Sequence, residues 1–337
     1  MTQTWQNTLR ITQINAENLF LFLDQEPNDL RSLTEKQWQG LSRASVANKP
    51  LSKTLWLADA LLDINADIIM VNEVGGLESL SNFSRYFLKD AYTPYILEGN
   101  SNRGIDVGYL VRRTLPFRFE IISHKDRPLH FLYPHEIDSN KHFAVHAPEK
   151  ILKTHYFSRD CSELRMFKEG SETPELIFLL VHLKSKLDPD GIDPEGRERR
   201  AAELKTLIDI YKELRLQFAV PMIVAGDFNG NARSDSISPE FKALKQCDWL
   251  NTVELLKLPM DQAATQIQFS RSQPQQFLQI DYIMISPELE SRLIHSESGV
   301  YRYKSDLKVT LPLPTTLDQR LQMPSDHYPV FATFKLI

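Results

Sequence analysis

The feature that most constrains this 337-residue chain is a recurring unit, a short apolar segment that ends in a polar and often acidic residue. Runs rich in β-branched and aromatic residues, bounded by turn residues, are typical of β-strands. Segments of this kind lie at 9–14, 67–71, 105–111, 176–181, 222–225, 279–285 and 330–334. Two helices are predicted between them, at 52–64 and 194–218, because apolar residues recur there at three- and four-residue spacing. This mixture favours an α+β sandwich in which sheets pack on each other and helices cover the outside.

Local signals refine the two helices. Ser52 is placed to cap the first, and the acidic residues Asp193 and Glu195 suit the dipole of the second. Three arginines of the second helix are expected to coat its exposed face: Arg197, Arg199 and Arg200. Two stretches without clean periodicity, 24–50 and 123–158, are interpreted as insertions. The second holds six of the nine histidines, without the ligand spacing of a metal site.

Composition narrows the class of protein. With 42% hydrophobic residues, a sizeable core needs no disulfides, and the net charge of −5 argues against a strongly basic nucleic-acid coat. A local basic cleft stays compatible with that charge.

The two cysteines, Cys161 and Cys247, have no zinc-site spacing and are expected to be reduced thiols. Without a signal peptide or an apolar run of membrane-spanning length, we expect a cytoplasmic protein with no stable membrane insertion; export of a processed form stays open.

Polar residues collect at the ends of the predicted strands. They are Asn18, Glu73, Asp106, His182, Asp227, Asn229, Asp281, Asp326 and His327. Each alone is weak evidence, because Asp and Asn are favoured wherever a strand stops. The segment Asp227–Gly230 is as consistent with a turn that ends a buried strand as with a functional loop, since Asn-Gly is a strong turn dipeptide. Their number at corresponding positions favours function.

Asp326 and His327 form the most distinctive pair, an acid and an imidazole side by side just before an apolar strand. Neighbouring side chains on an extended backbone point in opposite directions. The pair is therefore predicted to face two sides, a metal on one and a substrate oxygen on the other.

These residues resemble the endonuclease/exonuclease/phosphatase superfamily, which has the DNase I-like fold. The resemblance is carried, in the family's order and over nearly the whole chain, by NAENLF, VNEVGG, VHLKS, GDFNG, QIDYIMIS and SDHYPV. It implies one domain spanning 1–337, built as a four-layer α/β/β/α sandwich of two mixed sheets packed face to face. It also implies phosphoester hydrolysis that depends on a divalent metal.

The resemblance also implies roles for individual residues. Glu73, Asn18 and Asp326 would bind Mg²⁺ or Mn²⁺. The catalytic set would be Asp227, His327, His182, Asp281 and Asn229. Within it, Asp227 would orient or deprotonate water or protonate the leaving oxygen, and Asp281 would orient His327. Asn229, with Lys184 and Arg159 as further candidates by position, would contact phosphate oxygens. The assignment of acid and base stays open.

The residue types suit this chemistry. Phosphoester hydrolysis needs neutralised nonbridging oxygens, water aimed in line and a protonated leaving oxygen. Carboxylate and amide oxygens suit a hard ion such as Mg²⁺. A carboxylate behind His327 fixes its tautomer and favours its charged form.

Two positions depart from a simple match. Some family members have a second acid two residues after the metal-binding Asn, where this chain has Phe20, which puts a second ion in doubt. Asp106 is a possible site residue, although its alternation with apolar neighbours also allows it to face solvent.

We therefore predict a Mg²⁺- or Mn²⁺-dependent phosphodiesterase, a nuclease-like enzyme acting on nucleic acid or nucleotides. A phosphatase or phospholipase-C-like hydrolase of a sugar-phosphate, inositol-phosphate or lipid headgroup is the alternative. A catalytically silent binding module is the rival from another class. We expect a monomer, and the sequence points to no protein partner.

Overall fold

The computed structural model describes residues 7–27, 29–43, 46–137, 154–269 and 275–336. The strands, in chain order, are β1 (Thr8–Leu19), β2 (Ile68–Val74), β3 (Tyr92–Ile96), β4 (Asp106–Arg112), β5 (Phe117–Ser123), β6 (Cys161–Lys168), β7 (Leu176–His182), β8 (Met222–Asp227), β9 (Leu250–Asn251), β10 (Gln266–Gln268), β11 (Gln276–Leu278), β12 (Asp281–Ile285), β13 (Gly299–Val300) and β14 (Val330–Lys335). The α-helices are α1 (Glu35–Gly40), α2 (Leu51–Ile64), α3 (Gly76–Asn82), α4 (Arg197–Phe218), α5 (Thr252–Leu255), α6 (Met260–Ala263) and α7 (Leu317–Leu321). A π-helical turn (Phe83–Phe87) and short 3₁₀ turns complete the elements: Leu30–Ser32, Pro194–Gly196, Pro239–Gln246, Pro287–Arg292 and His295–Glu297.

The larger strands form two six-stranded sheets. The first has the order β13-β14-β1-β2-β4-β3, and the second has the order β5-β6-β7-β8-β12-β9. Each sheet is mixed, because β1 pairs in parallel with β2 and β7 pairs in parallel with β8, while their other pairings are antiparallel. A separate hairpin joins β10 and β11. The prediction of two mixed sheets is confirmed.

Alternation along the strands explains the layers. In β7, Phe178 and Leu180 join the apolar cluster between the two sheets, whereas Ile177 and Leu179 face helix α4. Both faces of β7 and β8 are covered, so these strands are continuous apolar runs in the sequence. Helix α2 covers the outer face of the first sheet in the same way. The order helix, sheet, sheet, helix confirms the predicted sandwich.

The helix ends differ from the sequence prediction. Helix α2 begins at Leu51 after Pro50, and Ser52 lies inside it without a capping bond, so the predicted cap is wrong. Helix α4 begins at Arg197, three residues later than predicted, because Glu195 has a left-handed φ of 60° that breaks the helix from the preceding 3₁₀ turn. The carboxylate of Asp193 still accepts N–H groups of the first turn of α4, as an acidic start predicts.

One arginine of α4 is not on the surface. Arg200 is fully buried, and its guanidinium binds Glu240 at 2.7 Å and the carbonyl oxygen of Lys184 at 2.9 Å. The prediction that it coats the exposed face is therefore wrong. A buried arginine is retained only with partners that satisfy its charge and donors, and these partners come from distant parts of the chain.

The segment 24–50 contains more structure than its polar composition indicates. Helix α1 carries the buried Trp38, whose indole N–H donates to the carbonyl of Lys49 at 2.9 Å. The predicted insertion at 123–158 is described at 123–137 and 154–158, and its remainder lies outside the described residues. No helix among the described residues is long and apolar enough to cross a membrane.

Candidate active site

Strand pairing brings the predicted strand-end residues to one edge of the sandwich. In the second sheet, His182 is the register partner of Asp227 across β7 and β8, and Asp227 is the partner of Asp281 across β8 and β12. In the first sheet, Asn15 on β1 lies opposite Asn72 on β2. Because the sheets pack face to face, the amide of Asn15 reaches Asp227 of the other sheet at 3.0 Å.

Gly226 permits the close approach of β7 and β8 beside the site. Its φ of 138° is unfavourable for other residues, and a Cβ there would lie 1.8 Å from the carbonyl oxygen of Val181. The next apolar residue, Phe228, is fully buried. The chain therefore turns between Asp227 and Asn229 while both remain at the edge.

Several site residues adopt left-handed backbone conformations that cost energy for non-glycine residues. Glu17, Asn18, Glu73 and Asn229 have φ values of 49°, 57°, 62° and 54°. Hydrogen bonds to carboxylates hold two of these turns: the N–H of Asn18 donates to Glu73 Oε2 at 3.1 Å, and the N–H of Asn229 donates to Asp227 Oδ1 at 2.7 Å. Strain of this kind recurs at functional sites.

Asp227 lies at the centre of the group and is buried. Burial and the neighbouring Asp281 carboxylate raise its pKa to about 7, although His327 and the hydrogen bond from Asn15 act in the opposite direction. Oδ2 of Asp227 is 3.6 Å from Nε2 of His182. This carboxyl group can therefore gain or lose a proton near neutral pH.

His327 is held in its charged form. Its Nδ1 lies 2.7 Å from Oδ2 of Asp281. Burial lowers the pKa of His327, but the carboxylates of Asp281, Asp326 and Asp227 outweigh burial and raise the pKa well above the usual histidine value. The imidazolium is thus a donor fixed in orientation by Asp281.

His182 has the opposite character. Burial, and then the positive charges of Arg159, His327 and Arg103, hold its pKa well below the usual value. Its Nδ1 is buried and has no hydrogen-bond partner among the residues that the structure describes, while Nε2 faces Asp227. A neutral ring with the proton on Nε2 satisfies this arrangement, so the site pairs one neutral imidazole with one charged imidazole.

Asp326 and His327 converge instead of facing opposite sides. Oδ1 of Asp326 is 3.6 Å from Nε2 of His327, and both side chains reach Gln266. The prediction of two-sided facing is wrong because the chain bends at Asp326 and β14 begins only at Val330, so strand alternation does not apply.

The donor set for a metal is chemically suitable. Glu73 and Asp326 offer carboxylate oxygens, and Asn18 offers an amide oxygen, all hard donors that suit Mg²⁺ or Mn²⁺. Glu73 accepts the N–H of Asn18 through one oxygen, and its other oxygen has longer contacts, 3.3 Å to the amide of Asn15 and 3.9 Å to Nε2 of His182. A carboxylate oxygen with such long contacts is available to a cation.

A second group has the spacing of a metal site. One ligand atom from each of Asp227, Asp281 and His327 lies within 4.8 Å of the others. Asp281 and His327, however, bind each other at 2.7 Å, and a charged imidazole has no free lone pair for a metal. We therefore favour proton transfer and phosphate binding for this group, and the oxygen donors of Glu73 and Asn18 for the metal.

The side chains of Arg159 and Asn229 both reach the carbonyl of Leu183, the residue after His182. The guanidinium of Arg159 is buried, its pKa is lowered by burial, and the charges of Glu203, Glu73 and Asp227 oppose that shift. The amide nitrogen of Asn229 donates to the carbonyl of Leu183 at 3.0 Å. Phosphate binding by both residues remains a prediction.

Lys184 is positioned differently. Its ammonium donates to the carbonyls of Ser185, at 3.0 Å, and Leu187 in its own loop. Phosphate binding by Lys184 stays a prediction, and it would require these bonds to be exchanged.

Asp106 is buried beside the site rather than facing solvent. Its carboxylate accepts the N–H of Gly99 at 2.8 Å, and the next residue, Asn100, donates its own N–H to the carbonyl of Arg159 at 2.9 Å. Asp106 thus supports the loop that positions Arg159.

The sequence prediction missed several buried polar residues. Gln13 donates to Asn72 at 2.9 Å and to Asp281 at 3.2 Å, and Asn15 bridges Glu73 and Asp227. Glu203 of α4 accepts the backbone N–H groups of Ser158, which precedes Arg159, and of Lys184. The sequence did contain a signal for Gln13, Asn15 and Asn72, because an amide side chain inside a buried strand requires hydrogen-bond partners.

Removing the carboxylate behind His327 tests the charge assignment. In Asp281→Asn we expect the pKa of His327 to fall, because its strongest favourable charge is lost. Folding raises this pKa in the wild type, so the pair stabilises the fold fully below about pH 6.5, and this contribution is lost as pH rises through the folded-state pKa. NMR titration of the imidazole in the metal-free protein measures the shift. The exposed Asp318→Asn serves as control, and an unchanged pKa in Asp281→Asn would contradict the assignment.

Comparison with known proteins agrees with this fold. The family model described as Endonuclease/Exonuclease/phosphatase family matches residues 47–327, so the chain belongs to that family. The family generally hydrolyses phosphoester bonds and typically depends on a divalent metal. No curated protein matches the sequence.

Solved structures show the same architecture at low sequence identity. Truncated TDP2 from Caenorhabditis elegans matches with a TM-score of 0.55 and 16% identity, covering 97% of this chain and 98% of that chain. The human Nocturnin catalytic domain with bound sulfate matches with a TM-score of 0.56 and 13% identity, covering 99% and 96%. TDP2 from D. rerio, solved with a single-strand DNA product, has a TM-score of 0.56 and 14% identity, covering 98% and 99%. The DNase I-like fold is confirmed.

Proposed function

We propose that the protein is a Mg²⁺- or Mn²⁺-dependent phosphodiesterase that acts on nucleic acid or nucleotides. The observation that carries the proposal is the buried carboxyl of Asp227, with a pKa of about 7, placed within 4 Å of a neutral His182 and a charged His327. Such a set can move one proton and bind one anionic group at the same pH.

Glu73 and Asn18, with Asp326, would hold the metal. When bound, the ion would polarise a phosphoryl oxygen and offset its charge. The chain's own residues supply the remaining steps. As the attacking water forms its bond to phosphorus, Asp227 in its ionised form accepts a proton from it; the bond from phosphorus to the leaving oxygen breaks, and that oxygen takes up a proton from solvent. His327 donates a hydrogen bond to a nonbridging oxygen. His182 stays neutral, with its proton on Nε2 directed toward Asp227. Because this ring is uncharged, His327 is the one imidazolium beside Asp227 among the described residues.

Positive groups at the site favour an anionic phosphate ester as substrate. Arg159 and the exposed Arg103 surround the same edge, and Nη2 of Arg103 lies 2.7 Å from Oδ1 of Asn18. The acidic net charge is offset locally, as an anionic substrate requires. The single-strand DNA bound by TDP2 of D. rerio, on the same fold, supports nucleic acid as the first substrate class to assay.

A substrate panel tests the proposal. We expect hydrolysis of single-stranded oligonucleotide, plasmid DNA, RNA or bis-p-nitrophenyl phosphate that EDTA abolishes and that Mg²⁺ or Mn²⁺ restores. p-Nitrophenyl phosphate and phosphatidylinositol separate the phosphatase and phospholipase alternatives. Activity on these two alone would replace the proposed substrate, and no metal-dependent hydrolysis of any member would favour a silent binding module.

A further inference from the structure

Two aromatic rings beside the candidate metal ligands are not used by the core. The rings of Phe20 and Phe22 stack with centroids 6.0 Å apart and an interplanar angle of 25°. Both are partly exposed, and neither belongs to a hydrophobic cluster of the described residues. Leu19 and Leu21, which alternate with them, are fully buried. Packing therefore explains the leucines and leaves the two phenylalanine rings unexplained.

The exposure of these rings does not come from a loose backbone. The N–H of Phe20 donates to the carbonyl of Asn18 at 2.9 Å, and its carbonyl accepts the N–H of Lys49 at 2.9 Å. The N–H of Phe22 donates to the side-chain oxygen of the buried Asn48, also at 2.9 Å. The two rings are thus presented from a fixed segment, which lowers the entropy lost when a ligand stacks on them.

Phe20 lies directly beside the metal-binding side of the site. A Cβ at Gly75 would come within 2.5 Å of Cδ1 of Phe20, so the ring rests on the backbone two residues after Glu73. Phe20 also follows Asn18 by two residues. A substrate whose phosphate is held near Glu73 and Asn18 would therefore place its adjoining group against an apolar aromatic surface.

The positive charge near the Phe20–Phe22 surface indicates which chemical group of a substrate would bind there. The exposed guanidinium of Arg103 donates to Oδ1 of Asn18, two residues before Phe20 in the chain, so a cation is held at the residue that leads into the aromatic pair. Aromatic rings beside a cation that tracks a phosphate form the usual arrangement for binding unpaired bases. A base paired within a duplex has its faces covered by its neighbours and has no free face to offer.

We propose that the Phe20–Phe22 pair is a stacking platform for the nucleobase next to the scissile phosphodiester, and that the substrate is unpaired at that nucleotide. This inference rests on the proposed phosphodiesterase function. The nucleobase is the part of the substrate that neither the metal nor the proton-transfer residues would contact.

The experiment compares one oligonucleotide carrying thymine with a matched oligonucleotide carrying abasic tetrahydrofuran residues. For the wild type, kcat/KM is expected to be about 5- to 150-fold higher with the bases present, since stacking of one base contributes about 1–3 kcal/mol. Phe20→Leu/Phe22→Leu should lose this preference with little change on the abasic strand. Phe20→Tyr/Phe22→Tyr should keep it, because a phenol ring still stacks. Phe119→Leu, a partly buried phenylalanine in β5, is the control for a general loss of stability.

The outcomes separate the platform from the function on which it rests. Equal kcat/KM on both strands in the wild type, or a preference that survives in the double leucine variant, would overturn the platform while the phosphodiesterase function stands. No cleavage of either strand, with hydrolysis of phosphatidylinositol or p-nitrophenyl phosphate, would overturn the nucleic-acid function itself. A duplex cleaved as fast as the single strand would contradict the requirement for an unpaired nucleotide.

Discussion

Asp227→Asn is expected to lower kcat by about a thousandfold or more while the protein stays folded. General acid–base groups contribute about 10²–10⁴-fold, and Asp227 also orients His182 and the turn at Asn229. The amide keeps the shape of the side chain and can accept a hydrogen bond from Asn15 or from the N–H of Asn229, although not from both. Steady-state kinetics with bis-p-nitrophenyl phosphate and the best substrate of the panel measure the loss.

The stability of this variant distinguishes a catalytic carboxylate from a structural one. The pKa of Asp227 is raised in the fold, so the wild type becomes less stable as pH rises from about 4 to about 7, where only the unfolded chain releases the proton. An amide removes that penalty. We therefore expect the Tm of metal-free Asp227→Asn at pH 8 to equal or exceed that of the wild type.

Asp235→Asn is the matched control, the same substitution eight residues further along at an exposed carboxylate that binds Arg233. It should retain wild-type kcat. Asp227→Asn with normal turnover would remove Asp227 from the mechanism, and a large fall in Tm would assign it a structural role instead.

Part of this site is predictable because it lies at strand ends. An apolar run that stops at a polar residue locates the edge of a sheet, and the pairing of β7, β8 and β12 places His182, Asp227 and Asp281 side by side. The family resemblance supplied their roles and the order of the layers. Periodicity alone predicted the strands buried on both faces, but β5 and β6 were missed, although Arg118 and Glu120 alternate with the phenylalanines of β5 in the pattern of a half-buried strand.

The rest depends on contacts between residues distant in the chain. Arg200 looks like a surface residue until Glu240 is known to lie beside it, 40 positions away. The role of Asn15 becomes evident only in the packed sheets, where its amide donates to Asp227. The convergence of Asp326 and His327 depends on a local bend that the strand pattern hides. Side chains whose partners come from another layer are those that sequence patterns predict least well.

Glu73→Gln is expected to abolish the effect of Mg²⁺ on both stability and turnover. A ligand that binds only the folded state stabilises it by about 2.7 kcal/mol at a hundred times its Kd, which for a chain of this size raises Tm by a few degrees. A neutral amide binds a hard cation far more weakly than a carboxylate. Thermal unfolding with and without saturating Mg²⁺, in the absence of substrate, measures this shift independently of catalysis.

Glu78→Gln gives the control, because this partly exposed glutamate of α3 lies five residues away and pairs with Arg43. It should keep both the Mg²⁺-dependent rise in Tm and the activity. A rise in Tm that persists in Glu73→Gln would show that Glu73 is not a required ligand.

The same measurement decides between the two acidic groups of the site. If the ion were held by Asp227, Asp281 and His327, Asp281→Asn would remove the Mg²⁺-dependent rise in Tm and Glu73→Gln would leave it. That outcome requires His327 to give up its proton and its 2.7 Å bond to Asp281. Three carboxylates keep this imidazole charged, whereas Glu73 needs no proton released before it binds a cation, and Oδ1 of Asn18 has only to exchange the hydrogen bond that it accepts from Arg103. We therefore expect the rise in Tm to follow Glu73 and to survive in Asp281→Asn.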